Sequence, residues 1–191
     1  MSIAMADGLR RHRITVDEYY RLAAVGLLAP DARVELIQGV IVDMPPMGAR
    51  HAALVSRLHT LLERAAGDLA IVRCQLPLRL DAFSEPQPDL ALLRPREDFY
   101  EQQHPTAADA LLVIEVSETR LRYDTHSKAA LYARHGVPEF WIIDSARRHL
   151  HLLRNPAEGA YRSHLILAES FSSVTLTALP GVSVDLSWLA A

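Results

Sequence analysis

A glutamate inside an otherwise apolar, strand-like run is the feature that most limits how this chain can fold. The run LLVIEVSE covers residues 111–118 and places Glu115 between aliphatic side chains. Burying a carboxylate without a partner costs several kcal/mol. The fold must therefore bring a cation, a hydrogen-bond donor or a metal ion to Glu115.

The alternation of side chains along a strand indicates what shares a face with this glutamate. Successive side chains point to opposite faces, so Glu115 and Ser117 share one face while Ile114 and Val116 take the other. Asp89 begins the preceding strand-like run, DLALL. If the two strands are neighbours, we expect Asp89 and Glu115 to lie at the same end of the sheet.

Two carboxylates placed together favour a bound cation. They repel each other at a few ångströms, and one of them is protonated unless a cation lies between them. Carboxylate oxygens suit Mg²⁺, which binds through one or two carboxylates and keeps water or substrate phosphate in its other positions. We therefore predict that Asp89 and Glu115 bind Mg²⁺, with Mn²⁺ as an alternative ion.

Lys128 lies in the first turn of the helix that is predicted after the Glu115 strand. From there it can point back toward the same end of the sheet. A lysine in that place would orient the attacking water or stabilise negative charge on a phosphate. The alternative is a structural ion pair, in which Glu115 is neutralised by Lys128 or Arg79.

The order of helix and strand patterns predicts an α/β fold. Helices are predicted from residue 16 to about 28 after a Thr15–Glu18 capping box, over 49–66, and up to His135 after an N-cap at Asp124 or Thr125. Predicted strands are VELI, VIVDM, LAIVRC, LPLRL, DLALL, LLVIEV, EFWIID, HLHLLR and YRSHLIL, and the tail LPGVSVDLSWL closes this meander. We expect a single domain over residues 1–191, with a central mixed sheet flanked by helices and a flexible N-terminal segment at 1–14.

Four motifs follow one another along the chain: VELIQGVIVDMPPMGARH, QPDLAL, VIEVSE and YDTHSKAALYARHGVPEFWIID. Together they resemble the Uma family of restriction-endonuclease-like proteins, which belongs to the PD-(D/E)xK nuclease superfamily. The resemblance implies a restriction-endonuclease-like core that hydrolyses DNA phosphodiester bonds. The general nuclease pattern places a lysine two residues after the glutamate, where this chain has Ser117. The resemblance implies that Lys128 takes that role.

The resemblance also brings Glu35 and His51 into consideration. Glu35 would supply a further metal ligand or support one, and its alternative is a half-buried salt-bridge partner. His51 would hydrogen-bond a phosphate or orient the water, and its alternative is an ordinary residue at the start of a helix.

Composition limits the partners of the chain. The net charge of −3 gives no broad basic surface, so contact with nucleic acid has to depend on a local patch. Its one cysteine, Cys74, excludes an internal disulfide and a cysteine-based zinc site. No apolar stretch approaches the roughly 20 residues that span a bilayer, and the start of the chain lacks the core of a signal peptide. We therefore expect a cytoplasmic protein without a membrane partner.

The predicted function is that of a metal-dependent endonuclease acting on DNA. Two symmetry-related sites suit the cutting of both strands, so we expect a homodimer whose interface uses EFWIID and the strands after it. One alternative is a catalytically inactive nuclease-fold domain that binds nucleic acid or a protein partner. Another is a metal-dependent hydrolase of a different phosphate ester.

Overall fold

A six-stranded mixed sheet forms the centre of the computed structural model, which describes residues 11–29, 31–169 and 171–190. Its strands are β3 (Ile71–Cys74), β4 (Leu90–Leu93), β5 (Ala110–Ser117), β6 (Glu139–Asp144), β7 (His149–Ala157) and β8 (Ala160–Leu167), and they lie side by side in that order. Strands β5 and β6 are parallel, and the other neighbouring pairs are antiparallel. The predicted central mixed sheet is therefore confirmed.

Two short antiparallel pairs lie outside this sheet. Strands β1 (Val34–Ile37) and β2 (Val40–Asp43) form the predicted hairpin around Gln38 and Gly39. Strands β9 (Ser173–Thr175) and β10 (Ser183–Asp185) form a second pair. The C-terminal tail therefore forms a small sheet of its own, and the prediction that it closes the main meander is wrong.

The helices are α1 (Val16–Ala24), α2 (Ala49–Ala66), α3 (Leu121–Tyr123), α4 (Ala129–Arg134) and α5 (Ser187–Ala190), with a π-helical segment (Asp124–Lys128) between α3 and α4. The bounds predicted for α2 are confirmed. Helix α1 begins with the predicted capping box, in which the backbone N–H of Glu18 donates to Thr15 Oγ1 over 3.2 Å. It ends at Ala24 and not near Leu28, because Gly26 takes a left-handed φ of +75° and turns the chain away.

The sheet packs an apolar layer on each of its faces. One face carries Leu112, Ile114 and Val116 of β5 against Leu58 and Leu62 of α2. The other face packs Val113, Phe140 and Ile142 against Ala129 and Tyr132 of α4. Because side chains alternate along β5, Glu115 and Ser117 share one face, as predicted, and this is the face that packs against α4.

Two strand-based predictions are wrong. The segment LPLRL is not a strand, because the N–H groups of Leu78 and Leu80 donate to the carbonyl oxygens of Pro86 and Ser84 in the loop that follows. All six residues of β6, including Trp141, are buried, because the strand lies between β5 and β7. The run EFWIID is therefore core and has no surface to offer to a dimer.

The N-terminal prediction is tested only in part. Residues 1–10 of the expected flexible segment lie outside the described residues. At its end, Arg13 Nε donates to the carbonyl oxygen of Gln38 over 2.9 Å and Ile14 N donates to that of Gly39 over 3.0 Å. The single domain over 1–191 stays a prediction. Within the described ranges, no helix has the length and apolar character needed to cross a membrane.

Candidate active site

The pairing of β4 with β5 brings the two predicted metal ligands together. Leu90 pairs with Ile114 in antiparallel register, so the next residues outward, Asp89 and Glu115, meet at one end of the sheet. Both line a cavity of about 300 Å³, together with Glu35 and Lys128. The structure therefore gathers all four predicted site residues around one cavity.

The carboxylate of Asp89 is buried and held by three donors. Its Oδ1 accepts from Gln75 Nε2 over 3.0 Å and lies 3.0 Å from His51 Nε2, while its Oδ2 accepts from Val116 N over 2.8 Å. Burial raises the pKa of Asp89, but the hydrogen bonds with His51, Val116 and Gln75 outweigh it and lower that pKa below its usual value. The hydrogen bond with Asp89 in turn raises the pKa of His51. Asp89 is thus held ionised at a fixed position.

Lys128 is the cation that is paired with Glu115 in its apolar surroundings. Lys128 Nζ lies 2.8 Å from Glu115 Oε1 and 3.2 Å from Glu35 Oε1, and the hydroxyl of Tyr132 donates to Glu115 Oε1 over 3.1 Å. Burial raises the pKa of Glu115 despite Lys128. Burial acts to lower the pKa of Lys128, but Glu115 and Glu35 raise it above its usual value, so the ammonium stays charged. Among the described residues, Oε2 of Glu115 has no hydrogen-bond partner.

Acidic groups outnumber cations in this cavity wall. Four buried carboxyl groups line the cavity, those of Glu35, Asp89, Glu115 and Asp124. The buried cation beside them is the ammonium of Lys128. Burial also raises the pKa of Asp124. The surplus of carboxyl groups gives the cavity capacity for a further positive charge.

The helix that carries Lys128 begins earlier than predicted. It starts at Leu121, so the prediction that Asp124 or Thr125 is its N-cap is wrong. The Thr125 hydroxyl donates to the Leu121 carbonyl oxygen over 2.7 Å within the helix. Lys128 consequently lies beyond the first turn and in the buried middle of the helical run.

A π-helical turn sets which side chains of this run face the cavity. The N–H of Ala129 donates to the carbonyl oxygen of Asp124, five residues earlier. Such a turn stacks residues five apart, whereas an ordinary α-helix would place them about 140° apart around its axis. Tyr123, Asp124 and Lys128 all line the cavity as a result.

Comparison with known proteins identifies the family. Residues 16–187 match the Uma2 family, which is described as "Putative restriction endonuclease". The chain belongs to this family. None of the curated proteins compared matches this chain.

A solved structure shares the fold of this Uma2 family member. It is described as "a putative nuclease belonging to DUF820" from Anabaena variabilis ATCC 29413, and it superposes with a TM-score of 0.70 at 19% sequence identity. The match covers 92% of this chain and 99% of that chain. The predicted family and the predicted α/β class are therefore confirmed, and the family description supports a nuclease function.

The sequence left several residues of this Uma2 site unassigned. Tyr132 was detectable, because it follows Lys128 by one helical turn and so faces the same side. Gln75 directly follows the strand that pairs with β4, which is a weaker signal. The position of Tyr123 depends on the π-helical turn, which no local sequence pattern indicates. Arg79 is not a partner of Glu115, since its guanidinium lies 3.1 Å from Asp17.

The donor set of this site fits Mg²⁺ through a small number of protein ligands. No group of three or more His, Cys, Asp or Glu side chains among the described residues is arranged to hold a metal ion. Asp89 and Glu115 nevertheless offer two hard carboxylates, and Oε2 of Glu115 is free to bind. Mg²⁺ commonly keeps several waters and takes one or two carboxylates. A site with these two ligands therefore suits its chemistry.

Proposed function

We propose that this chain is a Mg²⁺-dependent endonuclease that hydrolyses phosphodiester bonds in DNA, with Mn²⁺ as a possible substitute ion. The observation that carries this proposal is the meeting of Asp89 and Glu115 in an acid-rich cavity beside Lys128. Membership of a family described as restriction endonucleases supports the same reaction class.

Each side chain has a separate role in this proposal. Asp89 and Glu115 hold the ion, which when bound lowers the pKa of water and offsets the charge of the phosphate. Lys128 orients the attacking water or stabilises charge on the phosphate. Glu35 Oε1 lies 3.2 Å from Lys128 Nζ, and this ion pair orients the lysine side chain.

Two arginines at the cavity support a nucleic-acid substrate. Arg33 and Arg120 both line it and are exposed. Their hydrogen bonds go to the backbone carbonyl oxygens of Pro45 and Asp43, over 3.2 Å and 3.3 Å. These bonds orient the guanidinium groups without neutralising them, which leaves positive charge for phosphates of the backbone.

We also infer a homodimer, because two symmetry-related sites suit the cutting of both strands of a duplex. Strand β8 forms one edge of the central sheet and offers Leu165 and Ile166, which are 52% and 49% exposed. This edge replaces the buried β6 as the expected interface. Light scattering that finds a monomer at micromolar concentration would count against the dimer. The cytoplasmic location stays a prediction.

A second candidate function is a nuclease-fold domain that binds nucleic acid or a protein without cutting. It is favoured by the two carboxylates that already hold Lys128, and by Ser117 at the usual lysine position. In this case Lys128 and Glu115 form a structural ion pair. A hydrolase acting on another phosphate ester differs from the first proposal in substrate alone.

The deciding experiment is incubation of plasmid DNA, single-stranded DNA and RNA with the protein, with Mg²⁺ or Mn²⁺ and with a chelator. We expect the parent to cut DNA in the presence of the ion, and Asp89→Ala to abolish cutting. Glu158→Ala serves as the matched control, because Glu158 is an exposed carboxylate paired with Arg162. A parent that cuts nothing and gains no thermal stability from the ion would favour the inactive domain.

A further inference from the structure

The hydroxyl of Tyr123 is buried at the cavity and has no hydrogen-bond partner among the described residues. Leaving a buried hydroxyl unpaired costs about 1–3 kcal/mol. Folded proteins keep few such groups, and those that remain call for an explanation. The position of Tyr123 at the candidate active site points to a partner that arrives with the substrate.

The surroundings of Tyr123 connect it to the catalytic groups. Its hydroxyl lies in the field of Glu35, Lys128 and Glu115, and burial and these carboxylates together raise the pKa of Tyr123. The group therefore stays protonated at neutral pH and can donate a hydrogen bond to an acceptor. The π-helical turn places it on the same side of the helical run as Lys128.

Two of the three N–H donors of the Lys128 ammonium are already engaged, which leaves one for an incoming phosphate. The ammonium donates to Glu115 over 2.8 Å and lies 3.2 Å from Glu35. A phosphodiester brings two non-bridging oxygens, both acceptors, into a cavity whose buried groups are mainly carboxyl groups. The hydroxyl of Tyr123, which is unengaged and lies at the same cavity, supplies a second hydrogen-bond donor for these oxygens.

We propose that Tyr123 is a further catalytic residue of this site, which donates a hydrogen bond from its hydroxyl to a non-bridging oxygen of the scissile phosphate. The inference rests on the proposed nuclease function. Tyr123 is only partly buried as a residue while its hydroxyl is covered. The proposal therefore includes a rotation of the side chain that brings this hydroxyl to the phosphate.

The test compares Tyr123→Phe with Tyr161→Phe. Phenylalanine keeps the ring and removes the hydroxyl in both variants. The hydroxyl of Tyr161 donates to the Val137 carbonyl oxygen over 2.9 Å, and Tyr161 does not line the cavity. Tyr161→Phe therefore controls for the loss of a structural hydroxyl outside the proposed active site.

Two measurements are needed: kcat and KM for DNA cleavage with Mg²⁺, and thermal melting of each metal-free protein. We expect Tyr123→Phe to lower kcat by about 100-fold, as for the loss of one preorganised donor to a transition state. Its metal-free melting temperature should equal or exceed that of the parent, because no hydrogen bond within the protein is lost. Tyr161→Phe should melt lower and keep the parent's kcat.

Three results would overturn the inference. An unchanged kcat for Tyr123→Phe while the parent cuts DNA would remove Tyr123 from catalysis and leave the proposed function standing. A lower melting temperature for metal-free Tyr123→Phe would show that the hydroxyl has a structural partner. If the parent cuts no DNA with either ion, the proposed function fails and this inference fails with it.

Discussion

The neighbouring parallel strands β5 and β6 each bury a glutamate, and the two carboxylates are satisfied in different ways. Glu139 on β6 is completely paired: its Oε1 accepts from Trp141 Nε1 over 2.7 Å and from Arg154 Nε over 2.8 Å, and its Oε2 accepts from Thr177 N over 2.7 Å. One carboxylate thus has one guanidinium and two neutral donors. This network connects the start of β6 to β7 and to the segment between β9 and β10.

Glu115 on β5 has a different balance. Lys128 is shared between Glu115 and Glu35, and Asp89 and Asp124 lie in the same cavity. One oxygen of Glu115 remains free among the described residues. Complete pairing at Glu139 identifies a group that holds the fold, whereas incomplete pairing beside a cavity identifies a group that can still bind something.

The largest effect should come from removing one charge from each network in turn. Glu115→Gln should lower cleavage more than about a thousandfold, beyond the loss expected for a single donor. It should keep the fold, because the amide oxygen still accepts from Lys128 and Tyr132. Glu139→Gln should do the reverse, with a lower melting temperature and full cleavage by the folded protein.

Melting with and without Mg²⁺ makes the contrast between the two glutamates quantitative. The ion should stabilise the parent and Glu139→Gln, by about 2.7 kcal/mol at a hundred times the Kd. It should leave Glu115→Gln unchanged. If the parent itself does not respond and both variants melt lower, Glu115 is part of a structural ion pair.

Removing the cation of each network in turn should distinguish Lys128 from Arg154 by the effect on stability. Lys128→Ala should destabilise the metal-free protein by about 3–5 kcal/mol, because it leaves buried carboxylates unpaired. Mg²⁺ should restore part of this loss by supplying a positive charge at Glu115, while cleavage stays low. Calorimetry or chemical denaturation with and without the ion measures both effects.

Arg154→Ala is the matched control for Lys128→Ala. It should also destabilise the protein, but by less, because the side chain of Arg154 is 28% exposed and water can partly replace it at Glu139. Mg²⁺ should restore none of this loss. Restoration in both variants, or in neither, would contradict the distinction between the two networks.

Local patterns predicted the features of the site that depend on short stretches of chain. The alternation of LLVIEV and the run DLALL sufficed to place Asp89 beside Glu115, because the register of two adjacent strands decides that contact. The spacing that predicted α2 was correct for the same reason, since one helix face repeats within a few residues.

The remaining features depend on distant partners. EFWIID and LLVIEV look alike locally, and what separates Glu139 from Glu115 is pairing with Arg154 and Thr177, which lie 15 and 38 residues further along the chain. The segment LPLRL alternates like a strand, yet its N–H groups bond to the loop at 84–86. No pattern in the composition of residues 121–128 indicates the π-helical turn.

A histidine pair outside both glutamate networks makes the stability of the protein depend on pH. The two networks should therefore be compared at a pH where this pair does not titrate. His151 Nδ1 and His164 Nε2 lie 3.0 Å apart on β7 and β8, so one ring donates and the other accepts while both are neutral. Burial lowers the pKa of both histidines, and for His151 the nearby His164, His149 and Arg147 add to this while Asp144 opposes it.

The smallest expected effect is a loss of stability in mild acid. A histidine whose pKa is lower in the folded protein than its ordinary value of 6.5 binds fewer protons in the folded state, so acidification below 6.5 favours unfolding. The contribution of the pair should be complete above pH 6.5 and decline as the pH falls from there. His151→Gln, which can still hydrogen-bond to His164 but does not titrate, should flatten the melting temperature between pH 6.5 and 5 without changing the response to Mg²⁺ at pH 7.5. An equally steep decline in this variant would assign the acid sensitivity to groups other than this pair. Glu115 and Asp124 are not candidates, because burial raises the pKa of both and acidification therefore stabilises the fold at these groups.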